Sequence, residues 1–359
     1  TTTDSLGLFR LECSIPCTLE FSHVNYKKET YKLNKSDAPF VITLRNKQNN
    51  LKEVVVTALP ASGRILSSIK GIERIPAIRE KYELVEEEVL NIPGTQLTLK
   101  DGLKLSERLK TILAEPEIAG AVVIQGTDTL EEIAYLVSLV LDTQKPVVFT
   151  GSMKSHHEFY SDAEGNISGA IQTAGDPDAY GRGVMVYMNQ LLFSAADVEK
   201  FHSNRVDAFQ SFYGPIGSIE NETVRFWRSP GRDQTFSIDH IEQGIPIIKS
   251  YAGMDDCLIR AAIAEGCRGI VIEGLGSGNV QPAIMSGIRQ ALEGRIPVLI
   301  TTRCLNGATF GVYDYEGGGA DLEACGAIFS HGLSSPKARI RLAVLLSAGI
   351  RPEQLNSYF

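Results

Sequence analysis

Short runs of apolar, mostly β-branched residues alternate with amphipathic segments along most of this chain. Three of these runs are Val54–Val56, Ala121–Ile124 and Pro146–Phe149, and amphipathic segments cover Leu105–Ala114 and Leu130–Leu141. Apolar runs that are too short for helices and are bounded by turn residues are typical of strands buried on both faces of a parallel sheet. The pattern therefore predicts a parallel sheet with helices packed on both faces.

The same alternation resumes after a polar stretch, rich in breaker residues, that covers positions 228–234. Before position 50 the pattern is different, because short segments such as Leu8–Glu12, Cys17–Phe21 and Phe40–Leu44 alternate with period two. We predict an α/β protein with a larger N-terminal parallel-sheet domain, a smaller C-terminal α/β domain and a small N-terminal β extension. The predicted boundaries are 1–50 for the extension, 51–227 for the first domain, 228–244 for a linker and 245–359 for the second domain.

The composition excludes several classes of function. With 359 residues and a net charge of −8, the chain has no basic excess for binding a phosphate backbone, so nucleic acid is not an expected partner. No apolar run approaches the roughly 20 residues that cross a bilayer, and we predict a cytoplasmic protein that does not bind membranes. The six cysteines lack metal-ligand spacing and are predicted to be reduced, buried thiols, although a disulfide between Cys13 and Cys17 stays open.

Hydroxyl and carboxylate side chains follow the apolar run that ends at Ile124. In Gln125–Glu132, Gly126 permits a tight turn, and Thr127 and Asp128 come before the next predicted helix. Ligands of open parallel sheets bind beyond the carboxyl ends of the strands, so we expect a functional site at this turn. The alternative is that Thr127 or Asp128 caps the helix and a glutamate three or four residues later closes a capping box.

Motifs along most of the chain resemble those of the asparaginase/glutaminase family. The segment Gln125–Glu132 resembles the family's second signature, in which a glycine precedes Thr-Asp-Thr and a pair of glutamates. Further matches follow in the same order from about Val54 to the C-terminus. They are Lys145–Lys154, Ser161–Asn166, Asp197–Lys200, Tyr213–Gly217, Gly274–Asn279 and Ser335–Arg339.

The resemblance implies a set of working side chains. Family members hydrolyse the side-chain amide of asparagine or glutamine through an acyl-enzyme on threonine, without a cofactor or a metal. By this resemblance, Thr127, Asp128 and Lys200 form one catalytic cluster, in which the lysine lowers the proton affinity of the hydroxyl and the carboxylate orients it or binds the substrate's amino group. The alternative for Lys200 is an ordinary solvated surface lysine.

The chain departs from the family at the position of the first nucleophilic threonine. Gapless placement of the family's first signature on Leu59–Ile65 puts Arg64 at that threonine. A guanidinium has no nucleophilic oxygen, although it binds carboxylates through two hydrogen bonds, so we expect Arg64 to contact substrate. Ser62 is the nearest hydroxyl and is also expected near the substrate, where it would serve as the nucleophile if the true placement is shifted by two residues. The alternative is an ordinary turn serine.

Other parts of the family's first cluster also differ. The segment before Asn91 is too short for the mobile loop that carries a tyrosine in the family, and Gly94 stands where the family has a substrate-binding serine. We expect Gly94 and Thr95 to line the substrate site. The resemblance further implies a substrate-binding role for Asn279 and a homodimer or homotetramer, in which Asp314 is the candidate acid from the neighbouring subunit.

His156 and His157 lie in a loop close to the expected site. A histidine there would serve as a base, and the alternative is that both are simply exposed.

Three hypotheses follow. The first is an amidohydrolase that uses Thr127, Asp128 and Lys200 and acts on a small carboxamide or an Asn- or Gln-like substrate. The second is a non-catalytic amino-acid-binding or assembly protein on the same fold. The third is a non-hydrolytic enzyme that transfers or cyclises the acyl group in a biosynthetic pathway. Ammonia release separates the first hypothesis from the second, and product analysis separates the first from the third.

Overall fold

The computed structural model describes residues 17–23, 26–33, 52–59, 76–90, 92–155, 158–230 and 234–359. The chain divides into two units, Thr1–Leu51 and Lys52–Phe359. In the first unit, β1 (Cys17–His23) and β2 (Tyr26–Leu33) pair as antiparallel neighbours, as the period-two pattern predicts. The strands predicted at Leu8–Glu12 and Phe40–Leu44 lie outside the described residues.

The second unit begins with the larger α/β domain. Its strands, in chain order, are β3 (Lys52–Leu59), β4 (Tyr82–Glu88), β5 (Ile118–Gln125), β6 (Val147–Thr150), β7 (Val184–Met188), β8 (Leu191–Ser194), β9 (Val198–Lys200), β10 (Phe209–Ser211), β11 (Gly217–Glu220) and β12 (Thr223–Phe226). Its helices are α1 (Pro76–Lys81), α2 (Leu99–Leu113), α3 (Leu130–Val140) and α4 (Ala163–Ala174). Short 3-10 turns occupy Gly94–Gln96 and Pro177–Ala179.

Eight of these strands form one sheet in the order β12-β11-β8-β7-β6-β5-β3-β4. The strands from β4 to β7 run parallel, and β8, β11 and β12 extend the sheet with antiparallel pairs. This antiparallel edge is not part of the parallel sheet that the sequence predicts. Its strands are short, and tight turns rather than helical crossovers join β7 to β8 and β11 to β12. Strands β9 and β10 pair with each other in a separate antiparallel ribbon.

Successive residues of a central strand enter opposite layers of the core. Val123 of β5 packs with Ile133 of α3 in one layer, whereas Val122 packs with Ile171 of α4 in the other. All four side chains are buried. Because side chains of a strand alternate between faces, a strand covered by helices on both sides must be apolar at every position. This requirement explains the uninterrupted run in β5.

The smaller domain contains a four-stranded, all-parallel sheet in the order β13-β14-β15-β16. Its elements are β13 (Ile247–Lys249), α5 (Cys257–Ala264), β14 (Ile270–Gly274), α6 (Met285–Glu293), β15 (Val298–Thr302), α7 (Gly319–Ala324), β16 (Ile328–Phe329) and α8 (Ser335–Ser347), with 3-10 turns at Pro282–Ile284 and Pro352–Tyr358. Helix α8 packs against α3, and the two domains share a core layer that includes Tyr135, Leu139, Val271 and Leu342.

The cysteines of the second domain, Cys257, Cys267, Cys304 and Cys325, are free thiols. Cys267 and Cys325 are half-buried, but Cys257 and Cys304 are exposed. The prediction of burial is therefore wrong for these two, because Cys257 lies at the solvent-facing start of α5 and Cys304 lies in the loop after β15.

Among the described residues, no helix combines the length and apolar character that crossing a membrane requires.

Candidate active site

The turn after β5 brings Thr127 and Asp128 to the carboxyl edge of the larger sheet. Lys200, the last residue of β9, reaches both side chains. Its Nζ donates a hydrogen bond to Thr127 Oγ1 at 2.9 Å and to Asp128 Oδ1 at 2.8 Å. Residues more than 70 positions apart in sequence thus form one hydrogen-bonded cluster. The structure brings together the three side chains that the sequence placed in the site.

Lys200 is not a solvated surface lysine. Its side chain is 14% exposed, whereas the Asp128 side chain is 59% exposed. The ammonium therefore lies at the inner end of the cluster, and the carboxylate faces solvent. A short lysine–hydroxyl contact in a partly desolvated position is an arrangement that stabilises developing charge on the hydroxyl oxygen.

Thr127 and Asp128 do not cap α3. The N-cap residue is Thr129, and among the described residues no side chain makes a capping hydrogen bond there. Thr129 Oγ1 instead accepts from Gln125 Nε2 at 3.1 Å and donates to the carbonyl oxygen of Gly94 at 2.9 Å. The capping alternative is therefore wrong, and the first two polar side chains of the turn are available to Lys200.

Gly94 supports the turn through its backbone. A Cβ at this position would lie 3.2 Å from the carbonyl oxygen of Gly126, so the two glycines pack backbone to backbone. Gly94 is buried, and Thr95 beside it is exposed. This close approach of the two backbones explains why position 94 is a glycine, which the resemblance alone does not. Thr95 therefore lies at the surface near the turn.

A group of acidic side chains lies behind the cluster. Burial, and secondarily the charge of Glu199, raises the pKa of Glu131 to about 8. Burial also raises the pKa of Glu132, although Arg339 opposes this effect. Glu131 Oε2 accepts a hydrogen bond from the backbone N–H of Lys200 at 3.1 Å. From sequence, both glutamates are expected only as caps, and nothing in their spacing indicates that Glu131 contacts the backbone of Lys200.

The loop after β6 forms the next part of the same edge. The Asp162 carboxylate accepts from the backbone N–H of Met153 at 3.0 Å and of Lys154 at 2.9 Å. Asn166 Nδ2 donates to that carboxylate and to the carbonyl oxygen of Gly151, both at 2.9 Å. The start of α4 thereby holds the loop in place. The motif Ser161–Asn166 marks this segment in the sequence. Its contacts with the loop after β6 are visible only in the structure.

Gly151 provides a test of how tightly the turn is packed. A Cβ there would collide with the carbonyl oxygen of Gln125 and lie 3.2 Å from Thr127 Cγ2. We expect Gly151→Ala to displace Thr127 and to lower the rate of any reaction at this cluster by about tenfold or more, because misplacement of a reacting group is costly.

Gly165→Ala is the matched control for this substitution. Gly165 lies in α4, and an added Cβ there meets no atom within 4 Å. Alanine at an exposed helical position is expected to leave activity unchanged and to stabilise the fold by about 0.5–1 kcal/mol. Steady-state kinetics and urea unfolding of both variants check the prediction, and equal activities of the two variants would contradict it.

Several predicted site residues lie outside the described residues, namely Ser62, Arg64, His156 and His157. Their expected roles stay predictions. Leu59 is the last described residue before Ser62 and Arg64. It is in register with Gln125, since β3 and β5 are parallel neighbours. The chain therefore enters the segment that contains Ser62 and Arg64 from the edge of the sheet that carries Thr127.

Asn279 and Asp314 belong to the second domain. Asn279 Oδ1 accepts from the backbone N–H of Gly319 at 3.1 Å, and its backbone pairs with Leu275. Asp314 is exposed. In the described part of this single chain, no hydrogen bond joins either residue to Thr127, Asp128 or Lys200. Their expected contact with substrate stays a prediction.

Comparison with known proteins assigns both domains. Residues 46–232 match the family model described as asparaginase, N-terminal, and residues 244–359 match the glutaminase/asparaginase C-terminal domain. The sequence is 35% identical over 291 residues to an L-asparaginase of Bacillus licheniformis, covering 80% of this chain and 90% of that protein. It is 30% identical over 295 residues to L-asparaginase 2 of Escherichia coli, covering 80% of this chain and 83% of that protein.

The fold agrees with a solved structure. The crystal structure of a probable cytoplasmic L-asparaginase from Campylobacter jejuni superimposes with a TM-score of 0.79 at 26% identity, covering 86% of this chain and 98% of that chain. This homology supports amidohydrolase activity. Because the first family model alone covers more than half of the chain and the relatives match across both domains, this protein belongs to the asparaginase family.

Proposed function

We propose that this protein is an asparaginase-like amidohydrolase that acts on a small carboxamide or an Asn- or Gln-like substrate through Thr127, Asp128 and Lys200. The observation that carries the proposal is the pair of short contacts from Lys200 Nζ to Thr127 Oγ1 at 2.9 Å and to Asp128 Oδ1 at 2.8 Å. A lone hydroxyl is a weak nucleophile, and a polar group within hydrogen-bond reach is what activates it.

In the proposed reaction, Thr127 Oγ1 attacks the carbonyl carbon of the substrate amide. A C–O bond forms, and the hydroxyl proton passes through the Lys200 side chain to the leaving nitrogen as the C–N bond breaks and ammonia departs. Water then adds to the ester, its proton returns to Thr127, and the carboxylate product leaves. The Lys200 side chain lowers the proton affinity of the oxygen during attack, when negative charge develops.

Asp128 has a separate role in this proposal. It orients Lys200 through the 2.8 Å contact, and its largely exposed carboxylate is free to bind the ammonium group of an amino-acid substrate. In the same scheme, Arg64 supplies a fixed positive charge for a substrate carboxylate. The two charges together favour amino-acid-like amides over uncharged ones.

The test is ammonia release from asparagine, glutamine, small carboxamides and Asn- or Gln-containing dipeptides. We expect release from at least one substrate, its loss in Thr127→Ala, and no loss in Thr111→Ala. Thr111 is a suitable control because it is an exposed helical threonine whose hydroxyl, among the described residues, bonds only the Glu107 carbonyl of its own helix. Ammonia release by wild type that survives unchanged in Thr127→Ala would overturn the assignment of the nucleophile.

The same experiment separates the two other hypotheses. Absence of ammonia release with every substrate, combined with ligand binding, would favour a binding protein. A cleft of about 610 Å³ between the domains gives that alternative a location. Its lining includes Lys200, Arg303 and the ion pair of Lys249 with Glu273. Consumption of the amide without a free carboxylate product would favour acyl transfer or cyclisation.

We also propose that the protein forms a homodimer or homotetramer. Large apolar side chains are exposed around Asp314, including Phe310 at 51%, Val312 at 67% and Tyr315 at 54%. An exposed apolar patch of this kind marks an interaction surface. The proposed neighbour is a second copy, whose Thr127 cluster would face this loop, and a monomeric mass in solution would contradict this arrangement.

A further inference from the structure

Lys337 is a fully buried lysine that enters the first domain from the second. It lies in α8 with 0% of its surface exposed. Its Nζ donates a hydrogen bond to the carbonyl oxygen of Val198 and lies 3.2 Å from Glu199 Oε1. The ring of Tyr135 lies 5.8 Å from the same nitrogen. Burying an ammonium group is costly unless close partners compensate for it. The ammonium of Lys337 is therefore held at the position where these partners surround it.

The partners of Lys337 are the two residues immediately before Lys200. Strand β9 is three residues long and pairs with β10 in a two-stranded ribbon, separate from both large sheets. Ladder hydrogen bonds of a large sheet therefore do not fix its position. Lys337 instead holds Val198 and Glu199, and Glu131 holds the backbone N–H of Lys200 at 3.1 Å.

We propose that Lys337 is a positioning residue that holds β9 so that the Lys200 side chain meets Thr127 and Asp128. The inference rests on the proposed function for its kinetic consequence and on the geometry alone for its structural consequence. It makes the docking of α8 on the first domain a condition for assembly of the site.

The geometric margin of the cluster is small. Lys200 Nζ lies 2.9 Å from Thr127 Oγ1, and a displacement of about 1 Å would take this contact beyond hydrogen-bond distance. Misplacement of a reacting group by about 1 Å lowers rates on the order of 10²-fold. Without Lys337, the Val198 carbonyl and the Glu199 carboxylate would turn toward solvent to form hydrogen bonds with water. Because Lys200 follows them directly in β9, this movement would displace its side chain as well.

The test compares Lys337→Met with Arg339→Met. Arg339 lies on the same helix and donates to the carbonyl oxygen of Ile245 at 3.0 Å, so its loss also removes a cation and a hydrogen bond but leaves β9 alone. We expect Lys337→Met to lower kcat about 10²-fold with KM changed less than threefold, well below the Tm of the variant. Arg339→Met is expected to keep kcat within about threefold of wild type.

A readout that needs no activity accompanies the kinetics. Amide hydrogen exchange of a peptide that covers residues 198–204 is expected to accelerate at least tenfold in Lys337→Met and to stay unchanged in Arg339→Met. If wild type releases no ammonia, the proposed function fails, and the exchange measurement still decides the positioning role. Unchanged exchange and unchanged kcat in Lys337→Met would each overturn the inference.

A second variant covers the case in which Lys337→Met does not fold. Lys337→Met/Glu199→Gln removes both charges of the buried pair, so the unpaired carboxylate no longer destabilises the fold. It still lacks the donor to the Val198 carbonyl. We expect this double variant to fold, to keep wild-type KM within about threefold and to stay at least tenfold below wild type in kcat. Wild-type kcat in the folded double variant would overturn the inference.

Discussion

Lys200→Met is expected to lower kcat for amide hydrolysis by about 10³-fold, within the range typical of removing a positioned proton-transfer group. Methionine has a similar length but provides neither charge nor donor, so both the 2.9 Å contact with Thr127 and the 2.8 Å contact with Asp128 are lost. Lys200→Arg is expected to lose nearly as much, because a planar guanidinium does not reproduce the position of a single ammonium nitrogen. Steady-state ammonia release is the measurement.

Lys81→Met is the matched control for this variant. Lys81 also pairs with a carboxylate, that of Glu222 at 2.9 Å, but the two side chains are 54% and 80% exposed. An exposed ion pair contributes little to stability, and this one involves neither Thr127 nor Asp128. We therefore expect Lys81→Met to keep kcat and KM near their wild-type values. A Lys200→Met enzyme that retains more than a tenth of wild-type kcat would exclude a central role for this lysine.

Glu131→Gln is expected to remove a large part of the pH dependence of stability. The folded-state pKa of Glu131 is raised to about 8 from an ordinary value of 4.5, chiefly by burial and then by the charge of Glu199. Between these values the native state holds a proton that the unfolded state has released. The free energy of unfolding therefore falls as pH rises from about 4.5 to 8, in total by roughly 5 kcal/mol.

Urea unfolding at pH 5 and pH 8.5 checks this sign and size. Glutamine keeps an oxygen that accepts the Lys200 N–H but does not titrate, so the variant is expected to lose less stability than wild type between the two pH values. The two proteins are expected to differ little at pH 5, and the variant is expected to be more stable at pH 8.5. Equal pH dependence in both proteins would contradict the raised pKa.

The predictions for Lys200 and Glu131 concern one network of charged and hydrogen-bonded side chains. Lys337 lies 3.2 Å from Glu199, and it also lowers the pKa of Glu131 without reversing the effects of burial and of Glu199. A single buried cation near two carboxyl groups stabilises one charge well, and the other carboxyl group keeps its proton. In this arrangement Glu131, whose pKa is raised to about 8, acts as a neutral acceptor for the Lys200 backbone.

Much of the fold follows from local patterns in the sequence. Uninterrupted apolar runs such as the one in β5 indicate strands buried on both faces, and the amphipathic segment that became α3 begins at Leu130 as expected. The antiparallel strands β8, β11 and β12 were not predicted. They are four residues long, and tight turns join β7 to β8 and β11 to β12, so their periodicity covers too few positions to separate them from loops.

The sequence by itself determined the α/β class, because strand periodicity is a local property of the chain. The resemblance of its motifs to those of the family singled out Thr127, Asp128 and Lys200 as the expected cluster. Only the tertiary structure decided that Thr127 and Asp128 meet Lys200 rather than cap α3. It alone showed that Lys337, 137 positions after Lys200, reaches the same strand β9. Contacts of this kind depend on how α8 packs against α3, and the packing of two distant helices leaves no periodic signal in either segment.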